Sequence, residues 1–399
     1  MAAPAKTTRP KVGLALAGGG PLGGIYEVGA LIALDEALIG IDLHDLDVYV
    51  GVSAGAFVSA NLANRFTMAQ IARIYIANQS SRHPIRPSVF MRPALREYWR
   101  GASALPGALI DAISDLVRHP LDIGLVGAAG NLQRAIPNAV FANEPLRRFL
   151  QGLYNSSGHT DDFRELKRRL HIVATNLDTG RPVVFGSAGH LDVPISTAVQ
   201  ASTALPGLFP PVEIDGEHFV DGGLLRTLHA SVALDTEIEL LLCLNPIVPF
   251  DASRSTEAPE RIRLFDKGLP VVLSQALRSL IHSRMEVGMA RYDDLYEKDV
   301  VLFEPKREDT LMFFSNVFSY ANRRRVCEHA YQSTREDLWR RRKAIAPVLE
   351  RHGIGLNTKV LRDRSRNYST GFGESLEMPD YGNLASRLNN ALKRLENSL

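Results

Sequence analysis

An apolar, β-branched strand, Asp47-Val48-Tyr49-Val50, runs straight into Gly51-Val52-Ser53-Ala54-Gly55. From Ala54 to Ala63 the apolar spacing predicts a helix, so a serine is carried on a strand-to-helix turn. The glycines let the backbone turn tightly enough to lift the hydroxyl clear of a sheet. The helix that follows aims its N-terminal amides at the same point. That is the setting a nucleophilic serine needs. A G-x-S-x-G this short also arises by chance, so its weight depends on what the rest of the chain supplies.

Upstream, Lys11 to Ala17 reads as a buried first strand that ends at Gly18-Gly19-Gly20-Pro21-Leu22-Gly23-Gly24. A helix follows, with Ile25, Val28, Leu31, Ile32 and Leu34 to Leu38 on a broad apolar face. A glycine loop between strand and helix presents consecutive N–H groups to either a phosphate or a developing oxyanion. The phosphate reading fits poorly. There is no Walker lysine and no clean G-x-G-x-x-G, and the second strand–helix corner is taken by the serine turn rather than by a ribose-binding acid. The oxyanion reading, with Gly18, Gly19 and Gly20 as donors, is favoured.

Downstream, His171 to Thr175 and Pro182 to Phe185 read as a hairpin around Asp178-Thr179-Gly180, and Ile195 to Ser202 as a helix. Val212-Glu213-Ile214 and Glu217-His218-Phe219-Val220 flank the turn pair Asp215-Gly216, a strong two-residue hairpin signal. The returning strand delivers Asp221 to its end, followed by Gly222 and Gly223. Asp221 is the sharper choice of base for Ser53. A free Asp titrates near ~3.9, so this role requires burial that raises its pKa or a serine made more acidic by the helix terminus.

Glu239 to Leu244 and Val300 to Phe303 are expected strands. Val271 to Tyr292 is an expected long helix whose stripe of Leu273, Leu277, Leu280, Ile281 and Met285 is read as core packing in preference to a membrane-docking face. The triplets Arg323–Arg325 and Arg340–Arg342 are read as solvated faces that also suit anionic lipid headgroups. Residues 105–140 carry a helical stripe of Leu109, Ile110, Ile113, Leu116 and Val117. A mobile lipid-facing cap and an insertion packed on the core are equally good readings of it. Leu384, Leu388, Leu392, Leu395 and Leu399 form a terminal leucine stripe suited to docking on the body or on a second subunit, making a homo-oligomer.

The chain, of 399 residues, can bury a full core, and its 45% hydrophobic and 23% charged content is that of a globular protein. A net charge of +2 gives no electrostatic case for nucleic acid. Cys243 and Cys327 do not make a disulfide scaffold, and no Cys/His cluster suggests zinc, so no metal and no cofactor are expected. The natural setting is a reducing cytoplasm. The apolar stretch after Lys6, Arg9 and Lys11 is too short for a signal peptide, and no run reaches membrane-spanning length. Membrane or lipid-droplet contact is therefore expected only at the periphery. The expected organisation is a disordered lead over 1–10, a core over 11–245 with a cap insertion at about 80–140, a mainly helical extension over 246–350, and a polar tail over 351–399 with its terminal helix.

Taken together, Gly18-Gly19-Gly20, Gly51-Val52-Ser53-Ala54-Gly55 and Asp221-Gly222-Gly223 resemble, in order and spacing, the patatin-like phospholipases. The stretch from Ala201 to Pro211 is similar to the segment that precedes the aspartate in that family. The resemblance spans about Lys11 to Asp235. It implies an α/β protein with a three-layer α/β/α fold, a central mostly parallel sheet and, beyond it, a helical C-terminal extension. It also implies a Ser53–Asp221 dyad with no catalytic histidine and no calcium, hydrolysing acyl esters of lipids, with Gly23, Gly51, Gly55, Gly222 and Gly223 supporting the motifs. One position departs from the pattern: where the family usually carries Arg or Lys before the last glycine of G-G-G-x-R/K-G, this chain has Leu22. That weakens a phosphate-bearing headgroup and leaves neutral lipids, short esters or polyesters in view. Three rivals remain: a Ser-His-Asp α/β-hydrolase using His229 or His282, a lipid-binding scaffold that keeps the body without the chemistry, and a transacylase.

Overall fold

The structure is a computed structural model and describes residues 11–77, 89–99, 103, 138–254, 263–315 and 322–372. Its strands are β1 (Val12–Leu16), β2 (Leu38–Ile39), β3 (Val48–Val52), β4 (Arg169–Asn176), β5 (Pro182–Phe185), β6 (Val212–Ile214), β7 (Glu217–Asp221), β8 (Leu240–Leu244), β9 (Asp299–Phe303) and β10 (Gly355–Leu356). Eight of them form one sheet in the order β6-β7-β4-β3-β1-β8-β9, with β5 also paired to β4. The run from β4 through β3, β1 and β8 to β9 is parallel, while β5, β6 and β7 are antiparallel additions at the β4 side.

β1, β3 and β8 are buried at every position, which is why they read as unbroken apolar runs rather than alternating ones. Their side chains nevertheless sort by the two-residue period of a strand. Leu14, Leu16, Tyr49, Leu240 and Leu242 enter one core, and Ala15, Val48, Val50, Leu241 and Cys243 enter the other.

Helices cover both faces. The first core is closed by α1 (Gly20–Ala37), α2 (Ala54–Ala63), α3 (Met68–Ile71), α4 (Glu144–Tyr154) and α5 (Ile195–Ser202). The second is closed by α6 (Ala230–Leu234) and the long α7 (Leu269–Leu295), after which come α8 (Thr310–Phe314), α9 (Arg323–Arg351) and α10 (Thr358–Arg362). This is a three-layer α/β/α arrangement. α9 returns to the first layer and lies along α1 so closely that a Cβ on Gly29 would overlap the Cys327 carbonyl oxygen.

The Asp215-Gly216 hairpin forms as read. Both turn residues have positive φ, 52° and 82°, as a tight two-residue turn with the strand's twist requires. α1 starts earlier than expected, at Gly20, because Pro21 supplies a helix-compatible φ in the first turn and needs no N–H partner there.

The long helix differs more. Leu273, Leu277 and Leu280 are 58%, 48% and 53% exposed, so of the stripe only Ile281 and Met285 turn inward. They share the inward face of α7 with Ser274, Gln275, Arg278 and His282. Gln275 both donates to and accepts from the Phe250 backbone (2.8 and 3.0 Å), so backbone groups of a loop draw the polar face inward. The arginine triplets are also more than solvated. Arg323 and Arg324 cap the Ile76 and Ala77 carbonyls, and Arg341 bonds Asp337 and the Leu302 carbonyl. The terminal leucine stripe and residues 105–137 lie outside the described residues.

Candidate active site

β4 lies between β3 and β7 and sets the geometry. Val52 pairs with Val173 and Asp221 with Ala174, so the ends of the two outer strands come to the same height across β4. Ser53 leaves β3 at that height, and its Oγ donates to Asp221 Oδ2 at 2.6 Å. The other carboxylate oxygen, Oδ1, accepts from the Gly223 N–H at 2.7 Å. The Asp221 carboxylate is thus held at both oxygens, with one aimed at the serine.

Ser53 takes φ 53°, ψ −119°, a strained conformation for a non-glycine residue and the one that lifts its hydroxyl off the sheet. Two groups hold the strain. Ser202, the last residue of α5, accepts the Ser53 N–H at 2.8 Å and donates to the Val173 carbonyl at 2.6 Å. Gly55 lets α2 sit directly on the end of β1, where its N–H bonds the Ala17 carbonyl at 3.1 Å. Any side chain there would run into the carbonyls of Leu16 and Ala17. Gly222 is needed for the same reason, since its Cβ would overlap the Val173 carbonyl oxygen, and a Cβ on Gly51 would strike Ser59. Ser202 sits in the Ala201–Pro211 stretch, but its role as the brace of the turn was not legible from the sequence.

The glycine turn is narrower in its donors than the sequence suggested. The Gly18 N–H is already given to the Thr227 carbonyl at 3.2 Å. Among the described residues no partner occurs for the N–H of Gly19, Gly20 or Ala54, the first residue of α2, and all three line one cavity with Ser53. Gly23 supports the turn by bonding the Gly19 carbonyl at 3.0 Å, and it packs under Pro246. Leu22 is buried in the core and is not among the cavity-lining residues.

The cavity measures about 550 Å³ and is walled mainly by apolar side chains such as Phe57, Tyr75, Leu146, Leu208, Phe209 and Ile281. Burial dominates the electrostatics. It raises the Asp221 pKa from 3.8 to about 6, with the Ser53 and Gly223 hydrogen bonds pulling the other way.

Burial likewise lowers His229 to about 4, so that imidazole is neutral, and its Nε2 faces the Gly222 carbonyl at 3.3 Å. His282 is occupied by Arg307, 2.8 Å away. Among the described residues no histidine hydrogen-bonds to Ser53 or Asp221.

A family model described as "Patatin-like phospholipase" matches residues 14–234, more than half of the chain. The chain belongs to the patatin-like phospholipase family. The three layers and mostly parallel sheet agree with that membership, and the matched region contains Ser53, Asp221 and the glycine turn. Similar proteins include uncharacterized NTE family proteins of Mycobacterium tuberculosis and Mycobacterium bovis, each 28% identical over 231 residues. The match covers 58% of this chain and only 29% of theirs, so the chain spans less than a third of the curated relatives it matches. Among solved structures, VipD from Legionella pneumophila aligns with 82% of this chain and 66% of its own, at 17% identity and a TM-score of 0.37. The type III effector ExoU of Pseudomonas aeruginosa aligns over 84% and 53%, at 17% identity and a TM-score of 0.35.

Proposed function

We propose that this patatin-like chain is a serine acyl hydrolase that cuts acyl esters of lipids with Ser53 as nucleophile and Asp221 as the single acid–base group. The observation that carries the reading is the 2.6 Å bond from Ser53 Oγ to a buried carboxylate at the edge of an apolar cavity. Asp221 Oδ2 takes the Ser53 proton as Oγ attacks the ester carbonyl. The oxyanion that forms is stabilised by the Gly19, Gly20 and Ala54 amides at two helix N-termini. Collapse breaks the ester C–O bond, and Asp221 returns the proton to the leaving alkoxide. Asp221 then deprotonates a water that attacks the acyl-serine, releasing the fatty acid and restoring Ser53. The cavity's apolar wall suits an acyl chain. Leu277 and Leu280 line it and are also exposed on α7, which supports entry of substrate from a lipid surface at the protein's periphery.

A fluorophosphonate probe should label wild-type protein on Ser53 and leave Ser53→Ala unlabelled. Labelling that persists in Ser53→Ala would place the nucleophile elsewhere and refute the assignment, whereas wild-type protein that takes no label would favour the scaffold reading. Because the base must be ionised, kcat/KM for a neutral ester should rise about tenfold per pH unit below the Asp221 pKa of about 6 and level off above it. A flat profile from pH 5 to 8 would mean that another group takes the proton. His282→Asn is expected to keep the rate within about threefold, since that ring faces Arg307 and not the serine. A large loss in a folded His282→Asn protein would revive the triad.

A further inference from the structure

Three arginines, Arg226, Arg278 and Arg284, line the cavity that holds Ser53, and Asp221 is the one carboxylate among its lining residues. Asp221 is already engaged with Ser53 and Gly223. Among the described residues no ion pair joins any of the three arginines to a carboxylate. Arg226 and Arg284 reach solvent, whereas Arg278 is half-buried, so Arg278 is the one whose charge is costly to hold without something negative beside it.

Arg278 is the most telling of the three. It lies on the inward face of α7, where burial pulls its pKa below the usual guanidinium range. Its NH1 and NH2 donate to the neutral carbonyls of Val248 and Met312, both at a long 3.3 Å, and its face lies 5.2 Å from the centre of the Phe313 ring. These contacts hold the guanidinium in place without balancing its charge, and they leave donors of its five free. The carboxylate whose field reaches it, Asp309, is committed to His329 at 2.6 Å and to the Met312 N–H at 3.0 Å. Arginine is seldom withdrawn from water without a partner anion, so an unmatched, half-buried one lining the cavity that holds the nucleophile points to a ligand.

The surrounding chain ties this cation to the reaction centre. Pro246 packs on the glycine turn, its Cγ 2.7 and 3.0 Å from where a Cβ on Gly19 or Gly23 would sit, while Val248 two residues later holds Arg278. One short segment after β8 therefore links the turn to the guanidinium. Arg284, six residues further along α7, donates to the Leu224 carbonyl at 3.3 Å, just beyond the Asp221-Gly222-Gly223 corner. Arg278 and Arg284 stand on α7, which lies outside the 14–234 match.

We infer that Arg278, assisted by Arg226 and Arg284, binds a negatively charged group of the substrate, so that the esters this chain prefers also carry a phosphoryl or carboxylate group. The inference rests on the Ser53 hydrolase reading. Binding to Ser53→Ala protein separates the two kinds of anion, using dodecyl phosphate, dodecanoate and dodecanol as probes. At least one of the anionic probes should bind about tenfold or more tightly than the alcohol, and Arg278→Gln in the same background should erase that preference. Tighter binding of dodecyl phosphate assigns the phosphoryl group, and tighter binding of dodecanoate assigns the carboxylate. Equal binding of all three probes before and after the substitution overturns the inference.

Turnover gives the second readout, as the ratio of kcat/KM for 1-dodecanoylglycerol 3-phosphate to that for monododecanoylglycerol. If phosphate is the ligand, Arg278→Gln should lower this ratio about tenfold and Arg284→Gln, at a more exposed position, about threefold. Should Arg278→Gln fail to fold, the Arg284→Gln ratio decides. A ratio unchanged in the folded variants, after dodecyl phosphate has bound best, sinks the inference and leaves the hydrolase reading intact. Ser53→Ala protein that still cleaves both esters would sink the hydrolase reading itself.

Discussion

Replacing Ser53 by Ala or Asp221 by Asn is expected to lower acyl-ester hydrolysis on the order of 10⁴-fold or more, because each removes a group that the other cannot replace. The two variants part company in stability. Asp221 has its pKa raised by burial from 3.8 to about 6, so the folded state prefers the protonated form. The stability that this proton contributes is full below about pH 4, is lost as the pH climbs to about 6, and stays absent above it. Asn keeps the shape without the charge. Asp221→Asn should therefore unfold at a higher urea concentration than wild type at pH 8, by a margin of up to about 3 kcal/mol, with the gap closing towards pH 4. A variant that is inactive and no more stable at pH 8 would mean that the carboxylate is not held in the dry environment described above. Ser53→Ala removes a donor to that carboxylate and should show no such alkaline gain.

Gly55→Ala is expected to destabilise the chain by on the order of 3 kcal/mol or more and to abolish activity in whatever folds. The added methyl meets backbone oxygens of β1, which belong to a central strand and cannot swing aside as a side chain would. Pushing α2 outwards would also break the Gly55 N–H bond to Ala17 and release the strained Ser53 turn. Urea denaturation with a parallel fluorophosphonate assay reads both effects. Near-wild-type stability would show that helix and strand are less tightly apposed than their carbonyl contacts indicate.

The candidate site was legible in the sequence where local chemistry fixes local shape. Asp215-Gly216 specified a tight hairpin and thereby the position of Asp221 at a strand end, and the glycines around Ser53 specified a sharp turn into a helix. The expected Gly18 donor failed because its partner, the Thr227 carbonyl, is more than two hundred residues away in the chain, and nothing local announces such a bond. Ser202 was overlooked for the same reason, since its hydroxyl acts on residues of two different strands. The α7 stripe was misjudged because periodicity gives the apolar face of a helix but not which way that face turns. Here backbone groups at Val248, Phe250 and Met312 needed partners, and Gln275 and Arg278 supplied them from the polar side.

By itself, the sequence determined that a serine rides a strand-to-helix turn, that a glycine turn precedes it, and that an aspartate follows on a hairpin. Each is set by backbone preferences within about ten residues. Only the tertiary structure decided that Ser53 and Asp221 meet, because that depends on the register of two strands against β4. It alone raised the aspartate's pKa, since desolvation comes from neighbours remote in sequence. It also brought Arg278, from a helix remote from the glycine turn in sequence, to the cavity that holds Ser53. Charge in a buried site is a property of everything packed around it, and a local motif records only its own part.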